Sequence, residues 1–283
     1  MHRALITGGT AGIGAAFARA FAGRGSALVL VARDPDRLEE SAAQLRREHG
    51  VVVETIVADL ADRDAQQRVA DRLESDTDPV DVLVNNAGFS VRAGLLDEDL
   101  TPHDLGFEVM IRAVLKLGGA AGRGMSRRGR GWIINVGSVS ALVTQNNYSA
   151  IKAWVGNSSE SLGVQLAGTG VQVTALMPGW VRTEFHSRAG IKGSSIPGVL
   201  WLDADRLVED CLRDVARGRP VSVPSKRWKL ISAVLRTTPR GLVARLSALL
   251  TASRRPLPVA LKVAVSPAAS MVTVASMPSG ICL

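Results

Sequence analysis

The chain contains one tyrosine, Tyr148, and aromatic residues make up only 4% of its 283 positions. Any chemistry that needs a phenol therefore has a single candidate. Cysteine is almost absent. Cys211 and Cys282 stand in unrelated contexts, with no Cys-x-x-Cys and no Cys/His spacing that would hold zinc, which predicts free thiols and no metal. No uninterrupted apolar run reaches the roughly 18 residues that suggest a membrane-spanning helix. The first apolar run, Ala4–Ile6, begins almost at the N-terminus and leads straight into Thr7-Gly8-Gly9. That leaves no room for a charged region and a cleavage site, so the cytoplasm is the expected compartment. The net charge of +8 is not matched by a recognisable nucleic-acid motif, and the arginines are scattered as well as clustered, so no nucleic-acid partner is expected. What the chain has in quantity is apolar residues, 46% against 21% charged, the balance of a globular protein with a substantial core.

Those apolar residues are arranged in a repeating order. Short runs at Ala4–Ile6, Ala27–Ala32, Val51–Val57 and Val80–Val84 alternate with longer amphipathic segments at Gly12–Gly23, Asp36–His49 and Arg63–Glu74. The order continues with a helix around Leu105–Gly119, a strand at Trp132–Val136, a helix from Tyr148 to about Ala167 and a strand at Val171–Met177. Runs of Val, Ile and Leu without polar alternation suit strands buried on both faces, so the pattern predicts an α/β fold with a doubly wound parallel sheet. After Pro178 the regularity fades. Residues 180–202 hold Gly190, Gly193, Pro197 and Gly198, which suggests a loop and short helix, either a lid over a site or an ordinary surface excursion. A helix at Asp203–Arg217 and a run at Val221–Val223 then close a single domain of residues 1–224. Residues 225–252 read as a basic amphipathic helical extension. It packs on its own domain or a second subunit, or makes a peripheral membrane contact. Residues 253–283, with four prolines and few charges, read as a poorly ordered tail.

Three segments carry the chemistry. Thr7-Gly8-Gly9-Thr10-Ala11-Gly12-Ile13-Gly14 joins the first strand to the first helix, placing backbone N–H groups and a helix N-terminus where a pyrophosphate can sit. The second strand ends in Ala32-Arg33-Asp34. Ala32 offers no carboxylate to a ribose 2′-hydroxyl and Arg33 offers a permanent cation to a 2′-phosphate, which favours NADP(H) over NAD(H). The competing assignment makes Arg33 a solvated residue and Asp34 the ribose ligand. Finally, Tyr148 and Lys152 are four residues apart on one helix face, where an ammonium is expected to lower the tyrosine pKa. Ser138, just past the strand 132–136, is placed to hydrogen-bond a substrate oxygen beside Tyr148.

The Gly-x3-Gly-x-Gly spacing and the Tyr-x3-Lys pair resemble the short-chain dehydrogenase/reductase family, a Rossmann-type fold, over about residues 3–224. The resemblance implies that Ser138 positions a carbonyl, Tyr148 transfers a proton, and Lys152 binds the nicotinamide ribose and tunes Tyr148. It further implies cofactor contacts from Thr7, Gly8, Thr10, Gly12, Ile13 and Gly14, and from Asn86, Ala87 and Gly88 of an Asn-Asn-Ala-Gly motif. Asp59 and Leu60 would meet the adenine, with a helix N-cap as the competing role for Asp59. Pro178, Gly179, Val181 and Thr183 would lie beside the nicotinamide. A small carbonyl or alcohol substrate is implied, as is a homodimer or homotetramer.

Two features depart from the family pattern. Met110 stands where an asparagine usually helps hold a proton-relay water, and a thioether cannot donate a hydrogen bond. The interval from Ser138 to Tyr148 is also about three residues short, which trims the loop Ser140–Asn147 without necessarily disturbing the triad. The first reading is thus an NADP(H)-dependent oxidoreductase acting on a hydrophobic substrate, suggested by Ile191, Ile196, Val199, Leu200 and Trp201. The alternative is an NADP(H)-binding regulatory protein with little turnover because of Met110.

Overall fold

A strand covered on both faces must be apolar along its length, because successive side chains point to opposite sides. The computed structural model, which describes residues 2–91, 93–183 and 197–252, shows this directly. In β1 (Arg3–Thr7), Ala4 and Ile6 enter one core and Leu5 the other. In β2 (Ala27–Ala32), Leu28 and Leu30 separate in the same way from Val29 and Val31. Beyond β3 (Val53–Val57), β4 (Val82–Asn85) divides Val82 and Val84 from Leu83, and β5 (Gly131–Val136) divides Ile134 and Val136 from Ile133. With β6 (Val171–Leu176) and the short β9 (Val221–Ser222), these strands form one parallel sheet of order β3-β2-β1-β4-β5-β6-β9.

The helices supply the two covers. On one face lie α1 (Gly12–Ala22), α2 (Pro35–His49) and α7 (Ala204–Ala216), contributing Phe17, Leu38 and Leu207. On the other lie α3 (Arg63–Glu74), α5 (Ala113–Arg127) and α6 (Asn147–Gln165), contributing Val69, Leu117 and Ile151. This is the single-domain Rossmann-type arrangement expected. The chain winds outward from β1 to β3 and returns to β4, so a crevice opens between the carboxyl ends of β1 and β4, where such sheets bind ligands.

Two segments differ from the sequence expectation. The helix expected over 105–119 is broken into α4 (Thr101–Phe107), a π turn at Glu108–Arg112 and α5, which runs on to Arg127. Glycines at 118, 119, 122 and 124 argue for a helix end in sequence, yet here they allow close packing. A Cβ on Gly124 would stand 2.8 Å from the Leu73 carbonyl oxygen of α3. Residues 180–202 do not form only a loop and short helix. β7 (Trp180–Val181) pairs in parallel with β8 (Trp201–Leu202), after a 3-10 turn at Gly198–Leu200. Residues 184–196, with Gly190, Ile191, Gly193 and Ile196, lie outside the described residues, as does 253–283 with Cys282.

Residues 225–252 fold as α8 (Lys226–Thr237) and α9 (Arg240–Ala252). Cys211 is a buried free thiol. Among the described residues no His, Cys, Asp and Glu cluster could hold a metal, and no helix is long and apolar enough to cross a membrane.

Candidate active site

A helix N-terminus leaves backbone N–H groups without intrahelical partners, and several helices here meet that need with a side chain. Asp34 caps α2, Asp62 caps α3, Asn146 caps α6 and Asp203 caps α7. α1 is not capped in this way: its cap residue, Ala11, is extended and offers no side-chain acceptor. Its free donors face a cleft of about 990 Å³ at the sheet's carboxyl edge, lined here by Gly8, Thr10, Ala11, Gly12 and Ile13. Gly8 and Gly12 both hold positive φ, and a Cβ on either would come within 3.2 Å of Ala87 or Thr183. The arrangement fits a pyrophosphate, which supplies the acceptors that α1 lacks.

Two residues expected to touch the cofactor do not line this cleft. The Thr7 hydroxyl accepts from the N–H groups of Asn86 (2.9 Å) and Ala87 (3.0 Å), tying the Asn-Asn-Ala-Gly turn to β1. Gly14 is buried where a Cβ would fall 2.1 Å from the Gly8 carbonyl oxygen. Both residues shape the loop from behind. Asn86, Ala87 and Gly88 do line the cleft.

Where β2 and β3 end, the cleft is walled by Arg33, Arg37, Asp59 and Leu60. Asp34, the competing ribose ligand, accepts from the N–H groups of Asp36 and Arg37 at 3.1 Å each and so serves as a helix cap. Asp59 is not a cap: Asp62 takes that role, and Asp59 accepts from the Ala61 N–H at 3.0 Å. The Arg33 guanidinium is exposed and only 4.0 Å from Asp59, leaving it available to an anion.

Ser138, Tyr148 and Lys152 converge on the cleft despite the short interval between Ser138 and Tyr148. Ser138 leaves the end of β5 and caps a 3-10 turn, Val139–Leu142, accepting from the Ser140 N–H at 3.1 Å. Its side chain hydrogen-bonds Tyr148 in the first turn of α6. One turn later, Lys152 Nζ lies 5.6 Å from the Tyr148 ring centre and donates to the Val136 carbonyl at 2.8 Å. Burial pushes the Lys152 ammonium down to about 8. Burial also raises the Tyr148 hydroxyl, with the Ser138 hydrogen bond acting against it. The expected lowering of Tyr148 by Lys152 is thus not found, because desolvation of the phenolate dominates.

Met110 lies in the π turn, fully buried. A Cβ on Gly88 would meet its sulfur at 3.2 Å and Lys152 Nζ at 3.7 Å, so the thioether packs near the ammonium where the family pattern has a polar side chain. Beside Tyr148, Asn147 Nδ2 lies 2.8 Å from His103 Nδ1, and His103 Nε2 lies 2.9 Å from the Gly94 carbonyl oxygen. This buried chain ties the Tyr148 helix to the loop before α4. Neither residue stands out in sequence, since their partners are 44 and 9 positions away.

The apolar lining of the cleft also differs from expectation. Val199, Leu200 and Trp201 do not line the cleft; among the described residues its apolar wall comes from Phe89, Val139, Val143, Trp180, Trp228 and Leu235. Trp228, from α8, is nearly fully buried and donates from Nε1 to the Leu200 carbonyl at 3.1 Å. Its ring lies flat on Gly179, where a Cβ would fall 2.0 Å away. Pro178, Gly179, Val181 and Thr183 take their expected places in the lining.

Strand order, an uncapped glycine-rich turn and a Ser-Tyr-Lys trio beside the crevice define a class: dinucleotide-binding oxidoreductases. The chain belongs to the short chain dehydrogenase family, whose sequence profile matches residues 2–192. This family binds NAD(P) and acts on alcohol and ketone substrates. The chain is 36% identical over 189 residues to a short chain dehydrogenase of Pseudocercospora fijiensis, an alignment covering 64% of this chain and 60% of that protein. It is 33% identical over 189 residues to gluconate 5-dehydrogenase of Gluconobacter oxydans, covering 66% and 73%. Among solved structures, a short-chain dehydrogenase from Sphingobium yanoikuyae in complex with NADPH matches with TM-score 0.76 and 32% identity, covering 93% of this chain and 99% of that one. The bulky-bulky ketone specific alcohol dehydrogenase from Comamonas testosteroni matches with TM-score 0.72 and 30% identity, covering 83% and 92%.

Proposed function

We propose that the chain is an NADP(H)-dependent enzyme that interconverts a ketone and an alcohol on a bulky apolar substrate. The observation that carries this reading is the meeting of Ser138, Tyr148 and Lys152 in one cleft, with Lys152 Nζ 5.6 Å from the Tyr148 ring centre, at the carboxyl edge of a dinucleotide sheet. In the reducing direction, Ser138 and Tyr148 donate hydrogen bonds to the carbonyl oxygen. As negative charge builds there, Tyr148 gives up its proton and Lys152 stabilises the resulting phenolate. The dinucleotide, when bound, supplies the hydride or takes it up. Oxidation runs the same path in reverse, with Tyr148 as base.

The preference for NADP(H) is supported by Arg33 and Arg37 at the adenosine end and by the use of Asp34 as a helix cap. Two guanidinium groups suit a 2′-phosphate, and no carboxylate at the end of β2 is left for a 2′-hydroxyl. The apolar wall of Phe89, Trp180, Trp228 and Leu235 supports a bulky substrate. Met110 alone favours the reading as a binding protein with little turnover.

The test is NADPH oxidation across aldehydes, ketones, ketoacyl thioesters and steroid ketones, with NADH run in parallel. Turnover on bulky ketones that falls by about 10²-fold or more in Tyr148→Phe, with NADPH affinity kept, is expected. Arg33→Ala should cut the NADPH-over-NADH preference by about tenfold, the value of one strong charged contact. Tight NADPH binding with no turnover on any compound would establish the binding protein instead.

A further inference from the structure

α8 has two unlike faces. Trp228, Ser232 and Leu235 follow a helical spacing, with Trp228 and Ser232 buried and Trp228 and Leu235 lining the cleft. Nearly opposite, Leu230 and Val234 are 68% and 55% exposed, with Lys226, Lys229, Ala233 and Arg236 around them, also exposed. α9 continues the pattern after Pro239: Leu242 is 49% exposed, and Arg240 and Arg245 are exposed with it. Apolar side chains left in water beside long cationic ones cost solvation unless something covers them, and lysine and arginine can reach past them to an anionic plane.

The charge of this region is one-sided to an unusual degree. Residues 215–283 contain eleven Lys and Arg and no Asp or Glu, whereas residues 1–214 carry more acidic than basic groups. The net positive charge of the protein therefore comes entirely from its last quarter. Lys229 does reach back to Asp214, at 3.9 Å, and Arg227 donates to the Val199 carbonyl at 2.8 Å. Among the described residues, no carboxylate pairs with Lys226, Arg236, Arg240 or Arg245. Interspersed leucine and valine argue against a nucleic acid as the occupant, since its backbone needs cations alone and its bases need exposed aromatics, whereas the aromatic residue of α8 is turned inward.

We infer that the outer face of α8 and the start of α9 dock on an anionic lipid surface, with Leu230, Val234 and Leu242 entering the headgroup boundary and the basic side chains meeting the phosphates. The opposite face of the same helix walls the substrate cleft, so docking holds that wall at the lipid boundary, where apolar compounds concentrate. The inference stands apart from the proposed turnover, because it concerns the outer face of α8 and is read by binding alone.

The experiment is flotation of the purified full chain with vesicles of equal parts phosphatidylglycerol and phosphatidylcholine, against pure phosphatidylcholine, at low and raised salt. Flotation with the anionic vesicles alone, weakened by salt, is expected. Each basic residue near an anionic surface is worth about fivefold in partitioning, so neutralising Lys226, Arg236, Arg240 and Arg245 together to Gln should lower it a hundredfold or more. Leu230→Gln with Val234→Gln should weaken flotation while leaving the charge intact. These positions are exposed, and an unchanged melting temperature shows that each variant folds. Protein left at the bottom with anionic vesicles overturns the inference. So does equal flotation on pure phosphatidylcholine, or tighter binding to a DNA duplex than to the vesicles. A concentration-dependent dimer abolished by Leu230→Gln, with no flotation, would identify a second copy of the chain as the occupant.

Discussion

Gly179→Ala tests how far the cleft depends on one contact. A Cβ at position 179 would fall 2.0 Å from Trp228 Cε2, 2.3 Å from Cδ2 and 2.4 Å from Nε1. Non-bonded carbons rest at about 3.5–4.0 Å, so the indole would have to retreat by roughly 1.5 Å. That movement breaks the 3.1 Å hydrogen bond from Nε1 to the Leu200 carbonyl and pushes the ring off its seat. Overpacking of this kind costs about 1–3 kcal/mol and a lost hydrogen bond about 1 kcal/mol more, so Gly179→Ala should destabilise the fold by about 2–4 kcal/mol. Trp228→Ala removes the obstacle. In that background the added methyl should cost close to nothing, giving a coupling energy of about 2 kcal/mol or more between the two sites. Urea unfolding of the four proteins measures this without needing a substrate. A single-variant effect below about 0.5 kcal/mol, or additive effects in the double variant, would refute the packing argument.

The same reasoning gives three further expectations. Gly14→Ala would put a Cβ 2.1 Å from the Gly8 carbonyl oxygen; a backbone atom has no rotamer to escape into, so the loop must open. NADPH affinity, followed by fluorescence titration, should fall at least about tenfold, and retained affinity would show that the loop is not the phosphate site. Met110→Asn gives the π turn a polar side chain near Lys152 and should raise turnover if proton relay limits it, whereas an unchanged or lower kcat counts against that limit. For pH, Lys152 holds its charge below about 8 and loses it above, while Tyr148, its pKa raised, stays protonated through that range. The phenolate formed on proton donation then lacks its cation, so carbonyl reduction should decline as pH rises through about 8. An ordinary lysine would delay the decline to about 10.4, and a profile flat to that point would show that Lys152 is not desolvated during turnover.

What could be read in the sequence was set by local rules. Runs such as Ala27–Ala32 are apolar without alternation because both faces of the sheet are covered, so the doubly wound order was legible. The placement of the glycine-rich loop, Arg33, Ser138, Tyr148 and Lys152 along one cleft was legible for a related reason: their geometry follows from a turn or from one helical repeat. The expected lowering of Tyr148 failed because a pKa depends on burial, and spacing along a helix carries no information about what lies above it.

The sequence by itself determined the order of elements, the glycine-rich turn before α1 and the Tyr148–Lys152 pair, since each rests on contacts within a few residues. The tertiary structure decided which side chains form the apolar wall of the cleft, that Thr7 and Gly14 support the loop from behind, and that His103 reaches Asn147. It also decided that Trp228, from a segment read as an extension, lies on Gly179. Each of these joins residues far apart in the chain, and such contacts exist only once the sheet and its covers have assembled around one crevice.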